Sequence, residues 1–232
     1  MHHETLLTGY GLSLIPLAPE HALALHDFVD ATMWAGMAAS QPRTAGELAA
    51  LFEAKISDPA SLAFAVTDRR TGALLGTTAL NAFDAGQQRV EVGGTFFGRQ
   101  FWGSHVNPAS KHALLTFAFE VLHVQRVAFR CDARNVRSAA AIERLGATFE
   151  GVLRSHRTAP DGTRADSAVF SILHPEWPSV QRNLQHRLEP FAQQSDGVGD
   201  QARDQPGSDA AHPGHAGRAA GSVYGRRTFA AL

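Results

Sequence analysis

A glycine-containing loop set between a strand-like run and a long apolar helix governs how this chain can fold. The run is Val90-Glu91-Val92-Gly93-Gly94-Thr95-Phe96-Phe97, with two adjacent glycines. The loop Gln100-Phe101-Trp102-Gly103-Ser104-His105 follows, then Val106-Asn107-Pro108. Beyond it, apolar residues recur at Ala113, Leu114, Phe117, Ala118, Val121 and Leu122, a helical spacing with a broad apolar stripe. Asn107 before Pro108 predicts the helix start there, because proline at the first helical position forfeits no needed hydrogen bond. A helix start leaves backbone N–H groups unpaired, and the helix dipole adds positive potential. Strand, loop and helix therefore form a candidate site for a phosphate or pyrophosphate. No lysine follows the glycines as in a P-loop, and no Gly-x-Gly-x-x-Gly run is present.

Gln100 and Gly103 fit the pattern Gln-x-x-Gly-x-(Gly/Ala), with His105 where glycine or alanine is usual. A second block, Cys131-Asp132-Ala133-Arg134-Asn135-Val136-Arg137-Ser138, runs into Ala139-Ala140-Ala141-Ile142-Glu143-Arg144-Leu145-Gly146-Ala147. Glu-Gly-Val-Leu-Arg and Phe-Ser-Ile-Leu-x-x-Glu-Trp-Pro follow in order. Together these resemble the GNAT acetyltransferases, which bind acetyl-coenzyme A, and within them the RimJ/RimL-like branch, whose best-known members acetylate protein N-termini. The resemblance covers roughly residues 10 to 188. It implies an α+β (mixed α/β) fold, a central mostly antiparallel sheet flanked by helices.

Composition agrees with one filled domain: 232 residues, 44% of them hydrophobic, at a net charge of −1. Near-neutral balance argues against nucleic acid as an obligatory partner. One cysteine excludes an intrachain disulfide. No apolar run approaches a membrane span, and Met1-His2-His3-Glu4 lacks a leader pattern, so the expected location is the cytoplasm. The expected state is a monomer or homodimer.

Along the chain, Leu12 to Pro16 reads as the first strand and Pro19-Glu20-His21 as a helix opening. Thr32 to Met37 fills the place of the family's variable helix over the acceptor, followed by a helix from Ala45 to Lys55. Leu62–Val66 and Ala73–Leu80, joined across Gly72, read as a hairpin. Arg89–Phe97 pairs next, and Gln125–Cys131 alternates as another strand. Gly151–Thr158 and Arg164–Leu173 flank a Pro-Asp-Gly turn. A last helix follows Trp177-Pro178 and runs to about Leu188. Residues 1–191 are expected to form the acetyltransferase domain. Residues 192–232, poor in large aliphatics, are expected to form a disordered tail.

The resemblance implies direct attack of a neutral amine on a thioester carbonyl, with acetyl-coenzyme A as donor. Backbone groups around Thr95, Phe96 and Phe97 would pair with the pantetheine arm, as in β-augmentation. An N–H there would polarise the thioester oxygen. The Gly93-Gly94 pair points to a bulge or close backbone approach, or else to ordinary packing. Gln100, Gly103, Ser104, His105 and Asn107 would surround the pyrophosphate. Asn135 is either the pantetheine-contacting asparagine, a helix cap, or both. Ser138, one turn later, is either the proton donor to the thiolate or a plain first-turn residue. The tyrosine many relatives carry four residues later is Ile142 here. Glu91 is either a base acting through water or half of a structural salt bridge. Trp34 and Met37 either line the acceptor pocket or are covered core. His156 either faces the acceptor or is solvated. No metal-ligand spacing occurs among the twelve histidines. The expected activity is transfer of an acetyl group to a primary amine, a protein N-terminus or a small molecule; the alternative is a non-catalytic acyl-coenzyme A module or sensor.

Overall fold

The computed structural model describes residues 3–159 and 161–195; most of the expected tail, and the substance of that expectation, lies outside them. Eight strands form one sheet in the order β1-β2-β3-β4-β5-β6-β8-β7. They are β1 (Leu7–Gly9), β2 (Leu12–Pro16), β3 (Leu62–Asp68), β4 (Leu74–Asp84), β5 (Arg89–Phe97), β6 (Arg126–Asp132), β7 (Thr148–Thr158) and β8 (Arg164–Leu173). All neighbours pair antiparallel except β5 and β6, which are parallel and joined through a helix. The helices are α1 (Ala22–Leu25), α2 (Ala31–Trp34), α3 (Ala45–Ile56), α4 (Val106–Thr116), α5 (Val136–Glu143) and α6 (Trp177–Leu188). The mixed, mostly antiparallel sheet flanked by helices is the fold class expected from sequence.

Two apolar layers sandwich the sheet. One packs α4 and α6 against it through Leu114, Phe129, Phe170 and Leu184. The other holds α1, α2 and α3 through Leu25, Trp34, Leu48 and Ala79. Strand alternation divides the side chains between them: Val90 and Val92 enter the first layer, while Glu91 between them points the other way.

Several sequence boundaries move. An extra strand, β1, precedes the expected first one and pairs with it through Leu7↔Leu14. The Pro19 helix is only a 3₁₀ turn (Pro19–His21) that passes into one short α turn. The helix after the glycine loop begins at Val106 rather than at Pro108, with His105 as its N-cap. Pro108 then lies in the first turn, where its missing N–H is still one the helix does not use. Its apolar stripe ends early: Phe117–Val121 widens into a π turn, and Val121 is exposed. A 3₁₀ segment, Glu189–Ser195, runs across the expected domain boundary at residue 191, and Phe191 packs on the core.

Candidate active site

Chain geometry opens the sheet at one place. β5 and β6 pair from Arg89↔Arg126 to Val92↔Phe129 and no further, although β5 continues to Phe97 and β6 to Asp132. The cause sits on the other edge of β5. Against β4, Phe96 opposes Thr77 and Gly93 opposes Ala79, so β5 carries one extra residue. This is a β-bulge, with Gly94 at φ +58, and bulges bend the strand that carries them. Gly93-Gly94 is therefore a true bulge. Beyond it, the β5 edge that faced β6 is released.

Two strand-to-helix junctions flank the opening. From β5 the chain makes a 3₁₀ turn, Arg99–Phe101, and passes through Gly103 at φ +75 into α4. Ser104 Oγ accepts the Val106 N–H (3.2 Å) and donates to Phe101 O (2.6 Å). The amides of Gly103, His105 and Asn107 have no acceptor among the described residues. α4 has no side-chain cap. The Gln100 side chain folds back over Gly98. The His105 ring turns away from the loop, stacking on Phe191 (4.2 Å between centroids, 10° between planes) and approaching the Tyr10 backbone. Burial pushes its imidazolium down, partly offset by that backbone contact.

Across the opening, β6 ends at Asp132, which is buried. Its carboxylate takes the Arg134 N–H and guanidinium (2.8–2.9 Å) and Arg157 Nη2 (2.6 Å). The Arg134 hydrogen bonds hold its acidity at about 2, assisted by the charge of Arg157. Arg157 also donates to Met37 O (2.9 Å), tying the residues after α2 to the sheet. Asn135 caps α5, its Oδ1 accepting the Ser138 N–H (3.0 Å). Its amide packs on Gly36, where an added Cβ would stand 2.4 Å from Asn135 Nδ2. Burial pushes the Cys131 thiol up, and a hydrogen bond with Ser138 opposes that.

A cleft of about 1160 Å³ lies between these parts, lined by Gly36, Glu47, Trp102, Asp132, Asn135 and Arg137 among others. Arg137 of α5 sits over the Trp102 ring of the other junction (3.3 Å to the centroid), and Arg99 approaches the same ring at 5.2 Å. Arg99 is itself forked onto Asp30 (2.5 and 2.6 Å).

Of the residues singled out from sequence, Thr95, Phe96 and Phe97 lie on the released stretch of β5, and Gln100, Gly103, Ser104 and Asn107 on the junction. Glu91 is salt-bridged to Arg130, and a Cβ at Gly93 would lie 3.7 Å from its Oε1, so its carboxylate reaches the point where the strands part. His156 contacts Arg130 (3.4 Å) and Ser167 Oγ (3.0 Å), which links it to Glu91 but leaves it off the cleft lining. Trp34 does not line the cleft. Its indole is buried against Phe96 (5.6 Å between centroids), and Nε1 donates to Ala39 O (2.8 Å). Met37 is half-buried on the same core and contributes a carbonyl. Trp102, Arg137, Asp132 and Arg157 were missed. Their pairings join residues up to 120 positions apart, which no local pattern reveals. The described residues hold no metal-binding group of three or more His, Cys, Asp or Glu, and no helix long and apolar enough to cross a membrane.

Comparison with known proteins agrees with this architecture. Residues 12–148 match the model of the acetyltransferase (GNAT) domain. A relative from Bacillus subtilis (strain 168), provisionally named ribosomal N-acetyltransferase YdaF, is 32% identical over 46% of this chain and 57% of its own. N-acetyltransferase p20 of Bacillus licheniformis, described as uncharacterised, is 27% identical over 49% of this chain and 63% of its own. The chain thus aligns with less than two thirds of either curated relative. An acetyltransferase structure from T. thermophilus, its function provisional, superposes with a TM-score of 0.75 at 35% identity, covering 80% of this chain and 98% of that one. RimJ of Mycobacterium smegmatis, solved with CoA-disulfide, shares the fold at a TM-score of 0.64 and 17% identity, covering 79% and 92%. The name of the Bacillus subtilis relative agrees with the RimJ/RimL-like motifs, and the domain match over more than half its length makes this chain a member of the GNAT acetyltransferase family.

Proposed function

We propose that this chain transfers the acetyl group of acetyl-coenzyme A to a primary amine. The observation that carries the reading is the parting of β5 from β6 beyond Val92↔Phe129, beside a helix start with unpaired amides. A freed strand edge takes up an extended amide-bearing arm by backbone pairing, and an uncapped helix N-terminus takes an anion. The residues therefore fit the donor, whose thioester supplies an activated acyl group.

The amides of Gly103, His105 and Asn107 would hold the pyrophosphate, and the β5 edge from Thr95 to Phe97 the arm. The Asn135 side chain, half-buried beside it, would steady the same arm. Glu91 would accept the amine proton through water, and Arg130 keeps its carboxylate aimed at Gly93. Ser138 would return a proton to the departing thiolate from one turn inside α5. The cleft between α2, α3 and the β6 end would admit the acceptor. A peptide N-terminus is the first candidate, because the relative from Bacillus subtilis bears a ribosomal acetyltransferase name.

The test is release of coenzyme A on mixing the full chain with acetyl-coenzyme A and a panel of peptide N-termini and small amines. Peptide-dependent release supports the reading, and release with small amines alone moves the acceptor to a metabolite. No release with any amine, from protein that binds acetyl-coenzyme A, would overturn it. In the active assay Glu91→Gln should lower kcat/KM by roughly 10²–10⁴-fold, the usual weight of an acid–base group.

A further inference from the structure

Lys111 is a buried ionisable group that none of these roles uses. It lies on α4, one face of which covers the sheet, and it is 5% exposed. Its Nζ donates to Thr78 Oγ1 and to Thr95 Oγ1, both at 2.7 Å, and the two hydroxyls lie 2.9 Å apart. It takes part in none of the ion pairs among the described residues. An ammonium held in an apolar layer by hydroxyls alone is costly, and an apolar side chain of equal length would pack there at less cost.

Its position gives that cost a purpose. Thr95 follows Gly94, the bulge residue, and its hydroxyl leans on Gly93 O (3.4 Å). Thr77 Oγ1 donates to Gly94 O (3.0 Å) from the neighbouring strand. The bulge is thus pinned from β4 by Thr77 and Thr78 and from α4 by Lys111. The segment so pinned is the one whose amides the released edge presents.

We propose that Lys111 is a positioning residue for acetyl transfer: through Thr95 it sets the direction of the β5 amides beyond the bulge, and its ammonium lays a positive field under the point where charge develops on the thioester oxygen. This rests on the acetyl-transfer reading above. A charge in a dry interior is weakly screened, so its field counts for more there than at a surface. Burial alone pushes the Lys111 ammonium down, to about 7, so it remains partly charged at neutral pH. The Gly103, His105 and Asn107 amides take no part in this hydrogen-bond network. Loss of Lys111 therefore falls mainly on turnover, with a smaller loss of donor affinity through the arm that the β5 edge would hold.

The experiment uses the full chain with Lys111→Met, which keeps length and removes charge, and Thr95→Val, which cuts the link and keeps the ammonium. Two quantities are read: kcat at saturating substrates, and the carbonyl stretch of bound carbonyl-labelled acetyl-coenzyme A. In Lys111→Met, kcat should fall by roughly 10²-fold, the scale of a lost oxyanion donor. The stretch should return toward its free value, with a loss of donor affinity much smaller than the loss of kcat. Thr95→Val should lower kcat less and keep more of the shift. Wild-type kcat and an unmoved stretch in folded Lys111→Met would overturn the proposal. If that variant does not fold, unchanged kcat in Thr95→Val overturns it. Should the wild type bind the donor yet acetylate no amine, the acetyl-transfer reading fails by itself. The carbonyl stretch then decides the role of Lys111.

Discussion

The two strand-to-helix junctions that face each other across the cleft are built on opposite plans. The β5–α4 junction is open: glycine at φ +75, no side-chain cap, and amides left for something outside the chain. The β6–α5 junction is closed: Asn135 caps its helix, and Asp132 commits its carboxylate to two arginines. The first uses backbone freedom and leaves amides exposed, the surface proposed above to bind the donor. The second uses side chains to make a wall, and through Arg157 and Met37 it anchors the residues after α2 to that wall. On the proposed function, binding and positioning are divided between the junctions, and substitutions at one should leave different traces from those at the other.

The largest effect should come from the closed junction. Asp132→Ala removes the acceptor of two guanidinium groups and leaves Arg157, whose side chain is 17% exposed, without its charge partner. Breaking a buried pair by removing one member costs about 3–5 kcal/mol. Urea unfolding should show that loss, and a change below about 1 kcal/mol, the size of a surface pair, would mean the wall is not built this way.

Next comes the ammonium behind the open junction. A lysine pushed down to about 7 from 10.5 binds fewer protons folded than unfolded between those values. Stability is therefore gained as pH rises through that window and lost again as pH falls toward 7. At about 1.4 kcal/mol per unit, the wild type should gain about 3 kcal/mol relative to Lys111→Met between pH 7 and pH 10. The difference between the two proteins cancels every other titration. Parallel stability curves would show that the buried lysine keeps an ordinary proton affinity.

Much of this contrast was legible beforehand, and the limits are physical. Strands β2 to β8 announce themselves through apolar runs and turns. In the turn before β4, for example, Asp68 accepts the Arg70 and Thr71 amides and Gly72 sits at φ +74. Gly93-Gly94 left a bulge as one of several readings, and the register against β4 decides for it. The start of α4 differs from the expected one because Asn107-Pro108 fits either the first position or the first turn, and the helix begins two residues earlier, after His105. Trp34 was ambiguous because an indole near a site suits a pocket and a core equally. Its burial depends on Phe96, sixty-two positions away. Lys111 did leave a signal. It stands three, four and seven residues before Leu114, Leu115 and Ala118, on the apolar face, where a charge is out of place. Cross-chain cations such as Arg157 and Arg137 left none, since their partners are fixed only by the fold.

At the open junction, Gly103→Val should separate binding from folding. No atom lies within 4 Å of an added Cβ there, so the cost to the free protein is the strain of positive φ, about 1–2 kcal/mol. The branched side chain would stand in the space an anion needs to reach the amides. Losing one charge-assisted contact should weaken coenzyme A by roughly 10–100-fold in calorimetry. Unchanged affinity in folded protein would move the pyrophosphate elsewhere.

The smallest effect tests whether the closed junction is closed by its side chain. Asn135→Ala removes the acceptor for the Ser138 N–H, and loss of an N-cap costs about 1 kcal/mol. It also removes the amide that packs on Gly36, so the residues after α2 lose a neighbour while Arg157 still holds Met37. Pyrophosphate affinity should be spared, because the Gly103 amides lie across the cleft. Any loss of acetyl-coenzyme A affinity should then disappear when the ligand is 3′-phosphoadenosine 5′-diphosphate, which keeps the phosphates and lacks the arm. Asn135→Asp supplies the sharper control: it retains an oxygen acceptor for the cap but loses the amide donor. Asp should therefore recover the stability lost in Ala without recovering arm binding. If Asp restored both, Asn135 would act as a cap alone, and the arm would have to be held by the β5 edge without it.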